Sequence, residues 1–406
     1  MRLLVVTQYF WPENFRINEL VAELVRCGYE VTVLTGYPNY PDGEIFQYFR
    51  EAPAEYLEYQ GAVVVRVPLV ARGRSKVRLV FNYFSFALSA SILGIWRLRG
   101  RKFDAIFAYE PSPITVGLPA IAMKLVKRAP LAFWVLDLWP ETLQALGVVR
   151  SAMMLRCVGR LVSFIYQRCD LILAQSRSFI PEIQKYSQPL QRVEYFPNWT
   201  DAPVDARGMA ASEVPLKPGC FTIMFAGNIG EAQDFPAILA AAEVLRSKQS
   251  IRWLIVGDGR LAEWVAKEIK ARQLDDCVLM LGRYPAERMP EFFRHADALL
   301  VSLKKDSIFA MTIPGKLQAY LATGKPIIAM LDGEGANLVE CAQCGVTCPA
   351  GHSEKLAAAV LELSGLPDVA RQKMGQNGIR LSALEFDRDI LISGLNQSLL
   401  SMIKQA

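Results

Sequence analysis

The chain has 406 residues, 52% of them hydrophobic and 21% charged, and a net charge of +5. This composition excludes a disordered or fibrous chain, and so mild a charge does not by itself imply a nucleic-acid partner. Single cores rarely grow past roughly 250–300 residues, so two domains are expected. Eight cysteines lie in a long chain without the dense spacing of a disulfide scaffold. That pattern points to a reduced, cytoplasmic setting.

The apolar run after Met1 is too short for a signal h-region, so Leu3–Thr7 reads as the first strand. Ile17, Leu20, Val21, Leu24 and Val25 repeat at helical spacing, which predicts an amphipathic helix over 13–27. Strands follow at 31–35 and 63–67, then a long apolar helix over about 79–98. Next come a strand at 105–109, a helix from about 113 to 126 and a strand at 131–136. A helix near 155–168 and strands at 171–175 and 192–196 complete this half. The stretch 197–219 carries Pro197, Pro203, Pro215 and Pro218 without hydrophobic periodicity and reads as a linker. Alternation then restarts, with strands at 222–226, 252–256, 278–281, 298–302, 327–330 and 345–348. Helices are predicted near 235–245, 260–271, 287–295, 315–323, 336–342 and 354–363, with a last one over 387–403. Such alternation predicts two parallel sheets covered by helices. The expected domains are 1–198 and 220–384, joined by a linker at 199–219, with a terminal helix in 385–406. In doubly wound sheets, ligands bind beyond the carboxyl ends of the strands. Chemistry-bearing residues are therefore sought in the loops that follow strands.

Phe225-Ala226-Gly227-Asn228-Ile229-Gly230 follows the first strand of the second half. Its glycines let backbone N–H groups approach an anion, although a tight turn would look the same. Gly257-Asp258-Gly259 reads as a compact turn at a strand end. Lys304 and Lys305 precede Ile313-Pro314-Gly315-Lys316. Pro314 suits a helix start. A lysine in the first turn opposes the helix dipole unless an anion is also present, and a diphosphate fits that requirement. In the first half, Gln8–Asn14, Tyr37–Pro41, Glu110–Pro113 and Asp137–Glu141 each follow a predicted strand. They mix aromatics with Asn, Asp, Glu and Gln, the chemistry of a sugar site. Cys341, Cys344, Cys348 and His352 are zinc-ligand types. However, Cys344–Cys348 reads as a buried strand, where cysteine acts as a small hydrophobe. His295 reads as a helix-end residue, and with only two histidines a histidine-based hydrolase is not expected.

Residues 79–96 contain no charge. Arg72, Arg74, Lys76 and Arg78 precede them, and Arg97, Arg99, Arg101 and Lys102 follow. Symmetric basic flanks suit a helix lying on an anionic membrane surface rather than spanning it. A buried core helix is the alternative reading.

Tyr9–Glu19, Gly36–Pro41, Asp137–Glu141, Phe196–Trp199, Gly227–Gly230, Ile313–Lys316 with Tyr320–Pro326, and Asp332–Gly335 resemble the family-4 glycosyltransferases, in particular their bacterial O-antigen and capsule branch, which includes transferases described with N-acetyl-L-fucosamine donors. The resemblance covers nearly the whole chain. It implies a GT-B fold: two Rossmann-like doubly wound α/β domains facing a central cleft, with the C-terminal helix crossing back to the first. It implies retaining transfer from a nucleotide-sugar, usually UDP-linked, onto a polyprenyl-linked glycan at the cytoplasmic membrane, without a metal or other cofactor. Expected donor-binding residues are Gly227, Asn228, Gly230, Lys304, Pro314, Gly315, Lys316, Asp332 and Glu334. Expected acceptor-binding residues are Tyr9, Trp11, Glu13, Asn14, Asn39, Tyr40 and Trp139. Asp137, Lys316 and Glu334 are the catalytic candidates. The family's Glu-x7-Glu pair is absent, its positions being Met311 and Ala319. A nucleotide-sugar 2-epimerase or a non-catalytic nucleotide-sugar-binding subunit remain alternatives.

Overall fold

The computed structural model describes residues 1–405 except 74, 146, 148, 150 and 201–208. Arg74 and residues 201–208 of the expected linker, with Pro203, therefore lie outside the described residues. The chain divides into two units, Met1–Pro197 with Asp389–Ala406, and Asn198–Arg388.

The first unit is built on eight strands: β1 (Arg2–Val6), β2 (Glu30–Gly36), β3 (Glu58–Tyr59), β4 (Ala62–Val67), β5 (Ala105–Glu110), β6 (Leu131–Val135), β7 (Leu171–Ala174) and β8 (Val193–Tyr195). Their order is β3-β4-β2-β1-β5-β6-β7-β8, parallel except for the β3–β4 pair. β5, β6 and β7 are buried along their whole length, as strands covered on both faces must be. The final helix, Arg388–Gln405, is tied to this sheet. Ser398 donates to Glu194 Oε2 at 2.5 Å and Arg192 donates to Ser401 Oγ at 3.2 Å.

The second unit holds β9 (Phe221–Ala226), β10 (Ile251–Val256), β11 (Val278–Gly282), β12 (Ala298–Ser302), β13 (Ile327–Met330) and β14 (Gly345–Cys348). Their order is β11-β10-β9-β12-β13-β14, all parallel. Phe225, Phe235, Trp253, Leu300 and Val360 fill its core.

Both sheets reverse direction beside their first strand, between β1 and β5 in one and between β9 and β12 in the other. At such switch points the loops leaving neighbouring strands diverge and open a crevice. Most of the chemistry-bearing residues singled out in the sequence sit in the loops at or beside these two places.

The helix predicted over 13–27 begins only at Arg16, because the Glu13 side chain folds back into the loop before it. The long apolar helix runs Lys76–Ser89, continues through a π-turn at Ala90–Gly94 and ends at Ile95–Arg97. Gly94 within this turn is packed closely. A Cβ on Gly94 would come within 2.9 Å of Leu34 and 3.1 Å of Met123.

Candidate active site

In the second unit, the loops after β9, β10 and β12 and the helix Gly315–Leu321 are locked together by backbone contacts. Gly227 N–H donates to Val256 O, and Ile229 N–H to Asp258 O, each at 2.8 Å. A Cβ on Gly257 would stand 1.9 Å from Gly227 O, and one on Gly259 2.3 Å from Ile229 O. Gly257-Asp258-Gly259 thus supports the loop above it, and its glycines are required by contact. From β12, Ser302 Oγ donates to Gln233 O at 2.7 Å and Lys304 N–H to Ala232 O at 2.8 Å. The Tyr320 hydroxyl accepts the Ala226 N–H at 2.8 Å and donates to Ala226 O at 3.0 Å. This buried double bond fixes the Pro314-Gly315-Lys316 helix start against the end of β9.

Lys316 is the consequence of that placement. Its ammonium lies 3.9 Å from the centre of the Phe225 ring and 3.5 Å from Asn228 O. A Cβ on Gly227 would strike its Cε at 2.4 Å. Among the described residues no carboxylate pairs with it. Burial pushes its pKa down to about 7. A desolvated ammonium with no anion of its own, beside glycine-rich backbone, is chemically prepared for an anionic ligand. Gly315 leaves the adjoining space open, since a Cβ there would meet nothing within 4 Å.

The other expected donor residues differ in availability. Asn228 is exposed above the loop, whereas Gly230 is buried, its N–H donating to Gln233 Oε1 at 3.1 Å. Lys304 is engaged with Glu231 at 2.9 Å on the surface. Asp332 accepts the Ala350 N–H at 3.1 Å and so holds the turn after β14. Glu334 opens the helix Glu334–Ala342, and a Cβ on its neighbour Gly335 would lie 3.3 Å from the Pro314 ring. The zinc-type residues form no ligand set among the described residues. Cys344 and Cys348 are buried as single thiols.

In the first unit, the loops after β1, β2, β5 and β6 carry the four polar-aromatic motifs. Each contains a cis X-Pro bond, at Pro12, Pro41, Pro113 and Pro140. Much of their polar chemistry is internal. Glu13 is 2% exposed. Its Oε1 accepts the N–H groups of Asn39 and Tyr40 at 2.8 Å, and its Oε2 that of Phe10 at 3.1 Å. Burial pushes this carboxyl up to about 7, with the three N–H bonds and Arg66 opposing the shift. Asn39 is 0% exposed, donating to Tyr37 O at 3.0 Å and accepting from Arg72 N–H at 3.0 Å. Asn82, the polar interruption in the apolar helix, accepts from Gln8 at 2.6 Å and donates to Val70 O at 2.7 Å. Tyr9 stacks on Phe15 at 5.1 Å and is closed to solvent. Trp139 is likewise buried. Glu13, Asn39, Tyr9 and Trp139, expected to contact an acceptor directly, therefore form the wall behind the loops. Trp11, Asn14 and Tyr40 reach the surface.

Asp137 stands two residues beyond β6, half-buried, and burial pushes its carboxyl up to about 7. Beneath it lies Glu110, the last residue of β5, whose Oε2 accepts the Asp137 N–H at 3.4 Å. Tyr83, from the apolar helix, faces Arg72, Ser112, Asp137 and Glu110. The sequence alone places Glu110 in a sugar-site loop motif without a partner, and assigns Tyr83 no role. Glu110 opens the Glu110–Pro113 motif, but its partnership with Asp137 depends on β5 and β6 being neighbours in the sheet.

Two family models match the chain. Residues 14–199 match the "Glycosyl transferase 4-like domain" and residues 220–365 match "Glycosyl transferases group 1". WbjE of Pseudomonas aeruginosa, named as a probable glycosyltransferase, is 25% identical over 336 residues, which is 78% of this chain and 79% of WbjE. WcaI of Escherichia coli K12, named for colanic acid biosynthesis, is 27% identical over 346 residues, 80% of this chain and 82% of WcaI. Among solved structures, sucrose-phosphate synthase of Thermosynechococcus elongatus aligns with a TM-score of 0.73 at 12% identity, covering 100% of this chain and 99% of that one. Anabaena HepE in complex with UDP and glucose aligns with a TM-score of 0.65 at 13% identity, covering 99% and 100%. WaaG, a lipopolysaccharide glycosyltransferase, aligns with a TM-score of 0.66 at 12% identity, covering 97% and 98%. At these identities the solved structures speak for the fold, which is GT-B. The two matches together cover both units apart from β1 and the two C-terminal helices, and the chain belongs to the group 1, or family-4-like, glycosyltransferases.

Proposed function

We propose that this glycosyltransferase moves a sugar from a nucleoside-diphosphate donor, UDP-linked, onto a polyprenyl-linked saccharide in bacterial surface polysaccharide synthesis. The observation that carries the donor half is Lys316, an ammonium held against Gly227 and Phe225 without a carboxylate. The UDP complexes of HepE and the names of WbjE and WcaI support the same reading.

In this reading the diphosphate lies over the Gly227–Gly230 loop. As the sugar C1–O bond breaks, its electron pair leaves with the nucleoside diphosphate, and Lys316 opposes the charge that develops there. Asn228, Gly315 and Glu334 line the donor, and Lys304 exchanges Glu231 for phosphate. In the first unit, Asp137 orients the acceptor hydroxyl and takes its proton as the new C–O bond forms. Trp11, Asn14 and Tyr40 supply the acceptor surface. No metal or cofactor takes part; the acceptor oxygen attacks the face of C1 that the diphosphate leaves, so the anomeric configuration of the donor is retained. An N-acetylated 6-deoxyhexosamine such as N-acetyl-L-fucosamine is the first donor sugar to test.

The helix Val77–Arg97 is long and apolar enough to cross a membrane by length and composition. In this reading it lies on the inner face of the cytoplasmic membrane. Phe81, Leu88 and Trp96 are 60%, 64% and 60% exposed, and Val77, Val80, Phe84 and Ile92 continue the stripe. Exposed Arg97, Arg99, Arg101 and Lys102 follow it and suit anionic headgroups. Incubation with labelled UDP-sugars and a polyprenyl diphosphate-linked saccharide tests the reaction. Labelled lipid product that depends on both substrates supports it, and release of free sugar alone contradicts it.

A further inference from the structure

The transfer just described leaves Glu110 without a task, although its carboxyl is bonded to the Asp137 backbone. It ends β5 next to β6 and is 0% exposed. One oxygen accepts the Asp137 N–H at 3.4 Å, and the other, Oε1, has no partner. Glu13 shows how this fold supports a buried carboxylate: three N–H bonds at 2.8, 2.8 and 3.1 Å and the field of Arg66. Glu110 has one long hydrogen bond, with the N–H groups of Leu136 and Ser112 acting on it more weakly, and among the described residues no cation is bonded to it.

The groups facing Glu110 are also uncharged or of like sign. Asp137 faces it from the loop after β6, Tyr83 from the helix Lys76–Ser89 and Tyr166 from the helix Ala152–Tyr166, while Tyr109 adjoins it in the strand. Arg72 acts on Tyr83, and Arg16 and Glu19 act on Tyr109. Tyr166 also carries a buried hydroxyl without a partner. Two neighbouring carboxylates in a low dielectric do not both ionise, and the more buried one keeps the proton. Asp137 is partly exposed and Glu110 is fully buried.

We propose that Glu110 is a positioning residue that works as an uncharged carboxylic acid, its Oε2 accepting the Asp137 N–H and its Oε1 carrying the proton, so that Asp137 alone presents negative charge to the acceptor. The proposal rests on the reading of Asp137 as the acceptor-side base. Burial and the Asp137 charge hold the Glu110 carboxyl well above the usual range, and the N–H groups of Asp137, Leu136 and Ser112 offset this only in part.

The consequence for stability has a definite sign. A carboxyl raised in the folded state binds more protons there than in the unfolded chain. Its contribution is full below the unfolded value of about 4.3 and is lost as pH rises towards the folded value. Glutamine suffers no such loss. The melting temperature of Glu110→Gln is therefore expected to gain on the wild type as pH rises from about 5 to 9, and to exceed it at the alkaline end. Transfer by Glu110→Gln is expected to stay within about threefold of wild type, since the amide oxygen still accepts the Asp137 N–H. Glu110→Ala, which loses that acceptor, is expected to lose at least about tenfold in kcat with UDP affinity unchanged.

Infrared spectra of wild-type protein carrying 13C-labelled glutamate decide the protonation state even if a variant fails to fold. A carboxylic-acid carbonyl band that persists at about pH 8.5, where Glu13 has ionised, supports the proposal, and its absence overturns it. A Glu110→Gln protein that is less stable than wild type at that pH and transfers 100-fold more slowly also overturns it. Normal transfer by Asp137→Asn would instead remove the base reading, while the melting and infrared results still judge the acid.

Discussion

Replacing Lys316 by methionine removes the ammonium and keeps a side chain that fills the space over Phe225. The ammonium's pKa lies near 7 in the free protein because it is desolvated and unpaired. A bound diphosphate raises it, so binding takes up a proton above neutrality. Over the range between the free and bound values, UDP affinity is expected to fall up to tenfold per pH unit, about 1.4 kcal/mol each. From about pH 7.5 to 9.5 that accumulates to as much as roughly 100-fold. Lys316→Met is expected to weaken UDP binding at about pH 7 by roughly 10- to 150-fold, the range of a charged hydrogen bond worth about 1.5–3 kcal/mol, and to bind with little further pH dependence. Calorimetric titration with UDP, repeated in two buffers of different ionisation enthalpy, reads both affinity and proton uptake. The free protein supplies an independent check. Between about 7 and 10.4 the unfolded chain binds the lysine proton and the folded chain does not, so wild-type stability rises with pH there. Lys316→Met should melt above wild type near neutral pH, with the advantage shrinking as pH rises. Equal affinity slopes in the two proteins, or no proton uptake by the wild type, would refute the assignment of Lys316 to the diphosphate.

Other substitutions test neighbouring parts of the account. Gly257→Ala drives a Cβ towards Gly227 O at 1.9 Å from a backbone at φ +141°, and is expected to cost more than about 2 kcal/mol of stability in urea unfolding while also weakening UDP binding. Glu13→Ala strands the buried N–H groups of Asn39 and Tyr40 and should lower stability by more than about 2 kcal/mol, measured in the same way. Phe81→Ser with Leu88→Ser should reduce sedimentation with anionic vesicles by at least about tenfold, and leave UDP affinity unchanged, since each buried apolar side chain is worth roughly 1.5–3 kcal/mol. Persistent vesicle binding by that double variant would remove the helix Val77–Arg97 from the membrane account.

The strands were legible because fully buried parallel strands read as short apolar runs, and those at 298–302, 327–330 and 345–348 match the structure residue for residue. The short helices Glu141–Ala145, Phe179–Gln184 and Ser307–Ala310 carry too few turns for periodicity to register. Within the site, the lysine that opposes a helix dipole was a readable signal, because its placement conflicts with elementary electrostatics. The aromatic loops misled in part. Tyr9 and Trp139 are types that suit a sugar surface, yet here they pack inward, and only the fold distinguishes the two uses. The pairing of Glu110 and Tyr83 with Asp137 was missed for the same reason. Their meeting with Asp137 joins β5, β6 and a helix that lie far apart in the sequence.

Transfer itself is the most direct test of the whole account. Purified protein, anionic vesicles containing a polyprenyl diphosphate-linked saccharide and a panel of labelled UDP-sugars should yield labelled lipid with one donor, and Lys316→Met and Asp137→Asn should each abolish most of that product. Product formed equally well by both variants, or label recovered only as free or epimerised sugar, would contradict it.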